Sequence, residues 1–317
     1  MRLSIIVTVF NKEAYIERCL NSCIRQESVG PDSYEILVID DGSTDCSKTL
    51  IERYLVDNEN IRLVSQKNSG LSIARNNGIN EARGDYVWFV DADDYISENS
   101  VARIIEASLC FPDVIPIQSA TEGVAKIRNV IPISANDGRS VLLSSKWVFC
   151  GPFYIYKKSF LIENNLLYYP GIYHEDSDLT PRVLFYAQSV SVIPEVLYTV
   201  TRDPNSITQV PRVKRAYDYV FIASRLYRFN KDIVKDDSPV SDVFDHIISV
   251  IVNNALNIIS GFDSLQKKEF DRTLYDGRQV LDSLRRGGHF KYRLEYVLFL
   301  LFPRRYCKIY ELLRRFA

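Results

Sequence analysis

Two short acidic runs, each lying directly after a β-branched stretch, are the residues of this chain best suited to chemistry. Asp91-Ala92-Asp93-Asp94 follows Tyr86-Val87-Trp88-Phe89-Val90, and Asp40-Asp41 follows Glu35-Ile36-Leu37-Val38-Ile39. At about 4 Å two carboxylates repel by roughly 1 kcal/mol in water and about 4 kcal/mol at a protein-like dielectric. Acids gathered where a core strand stops therefore call for solvent, a basic partner or a metal ion. Asp91 and Asp93 offer hard oxygen ligands that suit Mg2+ or Mn2+, ions that take one or two carboxylates and fill their shell with substrate phosphates. The plainer reading of the same pattern is a solvated turn whose aspartates cap the next helix, and Ser43-Thr44-Asp45 has the composition of a helix start as well. One cap, however, leaves Asp40 and Asp41 unexplained. A third acidic group, Glu175-Asp176 after His174, opens an apolar periodic stretch, where a carboxylate serves either as a general base or as a favourable charge at the helix N-terminus.

The elements that must position these groups are legible from periodicity. Strand-like runs at 5–10, 35–40, 61–65 and 86–90 each precede a stretch with helical spacing, such as Ile16, Cys19, Leu20, Cys23 and Ile24. Alternation of this kind predicts an α/β fold with a mainly parallel sheet covered by helices on both faces. Ligands of such sheets bind beyond the carboxyl ends of the strands, where Asn11, Asp40-Asp41 and Asp91-Ala92-Asp93 all fall. Residues 113–157 read as irregular and β-rich, 173–187 as a helix from near Asp176, and 190–200 as a strand pair. Beyond 211 the pattern is helical, with continuous helices expected over 265–286 and 292–316.

Composition narrows the class. The 317 residues are 46% hydrophobic and 25% charged, with a net charge of −1, which gives no reason to expect bulk nucleic-acid binding. Six cysteines without a CxxC pair and three histidines suggest neither zinc nor a disulfide framework. Cys19 and Cys23 read as core thiols of a reducing compartment. The N-terminus is too short and β-branched for a signal peptide, and no apolar run approaches the roughly 18 residues of a membrane span. The expected location is cytoplasmic, on or near the inner face of the cell membrane.

The runs SIIVTVFN, EILVIDDGSTD, ARNNGI and GDYVWFVDADD, in that order and spacing over the first 110 residues, resemble the family 2 inverting glycosyltransferases of the GT-A fold, of the bacterial cell-surface polysaccharide type. GPFYIYKKSF, HED and VLYTVTRDPNSIT look like the acceptor-side half of the same family and carry the likeness to about residue 208. The resemblance implies a GT-A catalytic domain over 1–210, with a nucleotide-binding half at 1–110 and an acceptor half at 111–210, followed by a helical region at 211–317. It places Thr8, Phe10 and Asn11 at the nucleotide base, with Thr8 standing where the family usually has proline. Asp41 would bond the base, Asn68 and Arg75 would face the nucleotide and donor, and Asp91 with Ala92 would lie near ribose and sugar. Asp93 would hold the metal together with Asp91. Asp176, with Glu175 beside it, matches the catalytic base, and Arg202 and Ser206 a late loop over the diphosphate. The implied partners are a nucleotide-sugar donor, a UDP-sugar in the first instance, and a glycan or lipid-linked acceptor. A single displacement on an α-linked donor would give a β-linked product.

Other classes fit less well. A dehydrogenase would need GxGxxG after an early strand, which is lacking. A pyrophosphorylase would need a glycine-rich loop where this chain has TVFNKEAYIE, and a phosphatase would place its DxD earlier. A non-catalytic nucleotide- or carbohydrate-binding protein on the same fold would need a broken site, yet Asp41, Asp91, Asp93 and Asp176 are all present. The segment 285–317 holds nine Lys and Arg against Glu295 and Glu311, a net of +7 interleaved with aromatics. A basic amphipathic tail of this kind reads as a membrane-surface anchor, against the alternatives of an ordinary packed helix or a homo-oligomer contact.

Overall fold

Leu3–Val9 (β1) and Tyr34–Asp40 (β2) are buried along their whole length, which requires cover on both faces of the sheet rather than the half-buried alternation of a solvent-facing strand. The computed structural model describes residues 1–128, 131–132, 134–202, 212–235, 238–286 and 290–314. It divides into two compact units, Met1–Gly171 with Leu179–Ser206, and Ile172–Asp178 with Ile207–Ala317.

In the first unit β1 pairs in parallel with β2 on one side and with Tyr86–Asp91 (β4) on the other, while Ile61–Ser65 (β3) extends the sheet beyond β2. The helices Ile16–Ile24, Ser47–Asp57 and Leu71–Glu81 make the crossovers. Ile16, Cys19, Leu20 and Cys23 form the buried face of the first of these, so the two thiols are core residues as their spacing implies. Beyond β4 the sheet continues through Tyr154–Lys157 (β8), Val114–Thr121 (β6), Ile193–Val200 (β9) and Tyr95–Ile96 (β5), with Val124–Arg128 (β7) on β6. Here β4–β8, β8–β6, β6–β7 and β5–β9 are antiparallel, and only β6–β9 is parallel. The sheet is thus mixed, parallel in its first half. The strand pair expected over 190–200 is a single strand: Val190 bridges Val114 in the same direction as β9 runs along β6, so the chain does not reverse between them.

One buried carboxylate ties the parallel half together. Glu35, 1% exposed on β2, accepts hydrogen bonds from Ser4 Oγ on β1 (2.6 Å), from Arg83 N before β4 (2.6 Å) and from Arg62 on β3 (2.8 Å). Burial pushes the carboxyl upward, but those bonds and the Arg62 charge outweigh it and hold it below the usual range.

In the second unit the helix Ser238–Ile259 packs on Val213–Phe229. By length and composition it could cross a membrane, contrary to the expectation of no such run. Its Phe244, Ile247, Ile248, Ile251, Val252 and Ile259 are nonetheless buried within the unit, which is how a core helix uses an apolar surface. The expected 265–286 helix is broken at Gly277, which caps Ser264–Asp276. The expected 292–316 helix is broken after Leu301, because Pro303 lacks the N–H to continue it. Lys267 and Glu311, paired at 2.6 Å, join Ser264–Asp276 to Tyr306–Arg314.

Removing the Glu35 charge leaves Ser4, Arg62 and the Arg83 N–H competing for a weaker acceptor. Glu35→Gln should lower unfolding free energy by about 2–4 kcal/mol, read as a lower urea midpoint at unchanged slope.

Candidate active site

The register of the parallel half decides which acids meet. β1 lies between β2 and β4 with Val9 opposite Asp40 and Thr8 opposite Asp91, so both acidic runs emerge at the same sheet edge as the loop after β1. Thr8 itself is buried (8% exposed), whereas Phe10 stands exposed at 46%. Asn11, at φ 51°, belongs to a residue type that tolerates left-handed backbone. Its Oδ1 accepts from Thr44 N at 2.8 Å, and its own N–H donates to Ser43 Oγ at 3.1 Å. Lys12 N donates to Ser47 Oγ and Glu13 N to Asp45 Oδ2. The loop after β1 is therefore zipped to the loop after β2 by the side chains of Asn11, Ser43, Asp45 and Ser47.

Asp41 is buried and anchors a third loop: Oδ1 accepts from Gln66 Nε2 (2.7 Å) and Ser69 N (2.8 Å), and Oδ2 from Gly70 N (2.8 Å). Three of the roughly four acceptor positions of a carboxylate are thereby taken. Asn68 lies exposed in this loop. Gly42 adopts φ +74°, and a Cβ there would stand 2.8 Å from Asn68 N, so only glycine lets the two loops approach so closely.

Each acid of the second run has its own partner. Asp91 accepts from Arg75 at 3.0 Å; Arg75 is 1% exposed, on the helix Leu71–Glu81, with its guanidinium over the rings of Phe89 and Tyr168. Asp93 accepts from Lys12 Nζ at 2.5 Å. Asp94 accepts from Tyr198 Oη (2.6 Å) and Thr201 N (2.7 Å), fastening the end of β9. Burial, then repulsion from Asp91, raises the Asp94 carboxyl despite these bonds. Ala92 is buried at 2% exposure and brings backbone to the turn rather than a side chain to a ligand. Arg18 donates to Asp93 O (3.0 Å), to Thr201 Oγ1 and to Glu122 (3.2 Å), and lies over the Tyr95 ring. Arg202 follows as an exposed residue; Ser206 lies outside the described residues.

The donor set fits a hard divalent cation. Asp91 and Asp93 are partly exposed, at 33% and 21% of their side-chain surface, and Lys12 shows that a cation is accommodated on Asp93. Among the described residues no group of three or more His, Cys, Asp or Glu gathers as a metal cage. Two carboxylates completed by water and diphosphate oxygens is the Mg2+ pattern. Lys12, Arg18, Asp94, Tyr198 and Thr201 were not singled out from the sequence; of these only Asp94 carried a signal, as the third acid of its run.

Glu175 and Asp176 belong to the second unit and open the helix Glu175–Tyr186. Glu175 is 7% exposed and Asp178 is fully buried against Arg225, at 2.8 and 3.3 Å. Asp176 is the half-buried acid of this turn. His174, at φ 62°, stacks on Tyr219 with centroids 4.0 Å apart and accepts from Arg215 Nε at 3.2 Å. Burial, with the Arg215 charge behind it, lowers this imidazole to about 4. It is therefore a neutral acceptor near neutral pH.

Two outcomes follow from these local geometries. Gly42→Ala should cost about 1–3 kcal/mol of stability from left-handed strain and the clash with Asn68, seen in urea unfolding. Because His174 resists protonation when folded, its stabilisation is complete above its unfolded pKa of about 6.5 and drains away as pH falls toward 4. Acid unfolding of the native chain should thus show about one proton more of uptake than that of His174→Asn, a residue that keeps the positive φ.

Comparison with known proteins bears on the family and the fold. The glycosyl transferase family 2 profile matches residues 4–161. EpsJ of Bacillus subtilis, an uncharacterized glycosyltransferase, is 31% identical over 222 residues, 66% of this chain and 63% of that protein. The poly(ribitol-phosphate) beta-glucosyltransferase of Bacillus spizizenii is 30% identical over 232 residues, 67% of this chain and 34% of that protein. The chain thus spans less than two thirds of the length of either relative. Among solved structures, S. aureus TarS 1-349 in complex with UDP-GlcNAc aligns with a TM-score of 0.63 at 20% identity, covering 92% of this chain and 93% of that one. The mannosyltransferase PcManGT from Pyrobaculum calidifontis, in complex with GDP-Man and Mn2+, aligns at 0.52 and 16% identity, covering 98% and 87%. With the profile covering the strands and loops that carry Asp41, Asp91 and Asp93, and 92% of the chain sharing the fold of TarS 1-349, the chain belongs to glycosyltransferase family 2 and has the GT-A fold.

Proposed function

We propose that this protein is a metal-dependent inverting glycosyltransferase that moves a hexosyl or N-acetylhexosaminyl group from a UDP-sugar to a glycan or lipid-linked glycan hydroxyl, in cell-surface polysaccharide synthesis. The observation that carries the reading is the meeting of three loops at one sheet edge, with Asp91 and Asp93 partly exposed between cations. UDP-GlcNAc in TarS, and GDP-Man with Mn2+ in PcManGT, are the ligands of proteins with the same fold. The domain reading is a catalytic domain over 1–210 and a helical region over 211–317, acting at the cytoplasmic face of the membrane.

In this scheme Phe10 offers a ring for the base to stack on, and Asp41 keeps the 66–70 loop in place with one acceptor position to spare for a base N–H. Arg75 orients Asp91 toward ribose and sugar. Asp93 and Asp91 would hold Mg2+ or Mn2+, which would supply positive charge to offset that of the leaving diphosphate. Arg202, with Ser206, supplies further positive and hydrogen-bonding character to that group. Asp176 takes the proton of the acceptor hydroxyl as its oxygen attacks the anomeric carbon; the bond to the diphosphate breaks in the same displacement, the electron pair departs with the phosphate, and the configuration inverts. Asp176 is better suited to this than Glu175, which is more deeply buried.

The roles separate in titration. Calorimetry with UDP should show affinity that rises with Mn2+ in the native chain and loses that dependence in Asp93→Asn. Asp176→Asn should bind UDP as before while transfer falls by about 10²–10⁴-fold. Equal loss of UDP affinity in both variants would refute the assignment, and UDP binding without turnover on any donor would favour a non-catalytic binding protein.

A further inference from the structure

The helix Phe290–Leu301 has two apolar faces, and only one of them is used. Phe299 is buried at 2% exposure with its ring edge-on to Tyr306, 5.4 Å between centroids, and Glu295 is buried beside it at 5%. On the opposite side Phe290, Leu294, Val297 and Leu301 recur at i, i+4, i+7 and i+11, which at 100° per residue confines them to an arc of about 60°. These four side chains are 81%, 44%, 47% and 64% exposed, and Leu300 and Phe302 extend the surface at 59% and 47%. Scattered exposed leucines need no explanation, but a contiguous stripe on one helix face does.

We propose that this stripe is a docking surface that lies in the plane of an anionic lipid bilayer. Charge settles the occupant. Lys291 and Arg293, both exposed, flank the stripe on its two sides, and exposed Arg304 and Arg305 follow it, as exposed Arg285 and Arg286 precede it. The only acid from 290 to 305 is Glu295, which faces the interior, 3.9 Å from Lys291 Nζ. An apolar face rimmed by cations, on a helix with no exposed carboxylate of its own and with the exposed Asp276 only at its Leu300 flank, matches lipid tails below and anionic headgroups around, with the Lys and Arg stems reaching up to the phosphates. A second copy of the same face would instead set cationic rim against cationic rim. The proposal is independent of the glycosyl-transfer reading, since it requires neither donor nor metal.

Vesicle sedimentation of the full chain is the test. Binding to phosphatidylcholine vesicles containing about one third phosphatidylglycerol should exceed binding to pure phosphatidylcholine by at least about tenfold at low salt, and should decline as salt screens the cations. The double variant L294E/V297E, made at positions already in solvent, should lose about tenfold or more of that binding. Leu265→Glu, at a 74% exposed position on another helix, should bind as the native chain does. A far-UV circular dichroism spectrum and urea midpoint unchanged in L294E/V297E would confirm that the variant is folded. Equal binding to both vesicle types, or none, overturns the proposal. So does a concentration-dependent dimer in sedimentation analysis that L294E/V297E abolishes while vesicle binding stays unchanged, which would make the stripe a self-association surface.

Discussion

Crowding of negative charge at the carboxyl ends of two parallel strands, β2 and β4 on either side of β1, is the constraint around which the first unit is organised. The β1–β2 and β1–β4 registers bring Asp40, Asp41, Asp91, Asp93 and Asp94 to one edge, and repulsion there would amount to several kcal/mol without compensation. The compensation is distributed and specific. Arg75 is held under Asp91 by two aromatic rings, Lys12 reaches Asp93 from the loop after β1, and Asp94 is spent on fastening β9. Asp41 is solvated from within by the Gln66 amide and the N–H groups of Ser69 and Gly70. These partners come from different elements, so the same contacts that relieve the charge also set the relative positions of the loops.

The helical unit follows a different principle. Its longest helix is apolar enough for a bilayer, yet its large side chains are consumed in packing, and a buried Asp245 paired with Ser283 at 2.6 Å fixes how the neighbouring segment docks on it. Apolar surface is therefore plentiful in this unit, but it is solvent-facing on the late helix Phe290–Leu301, where the cations also concentrate. Hydropathy ranks these two helices in the reverse order of their availability, because it records composition and is blind to which face is already covered.

How much of this the amino-acid sequence disclosed depends on the range of the interaction. The strands and crossover helices of the parallel half are local patterns, and the convergence of Asp41, Asp91 and Asp93 follows from topology alone. The anchoring of the 66–70 loop by Asp41 spans more than twenty residues and has no local signature. Lys12 and Arg18 carry no mark in the sequence, since nothing nearby in the chain points to their partners. Ala92 sits within the motif but is buried, so membership of a motif is not contact with a ligand. The helix breaks at Gly277 and Pro303 carry the usual signals, which the strong flanking periodicity masked.

The Lys12–Asp93 pair has a consequence for any divalent ion that would approach this carboxylate. An ammonium at 2.5 Å already occupies a lone pair of the carboxylate that an incoming ion would use, so occupancy is an exchange of one cation for another. The apparent affinity is then the intrinsic one reduced by the fraction of molecules in which the lysine has swung away. A chain that supplies its own counter-ion in this manner keeps Asp93 compensated from within, without calling on solvent ions.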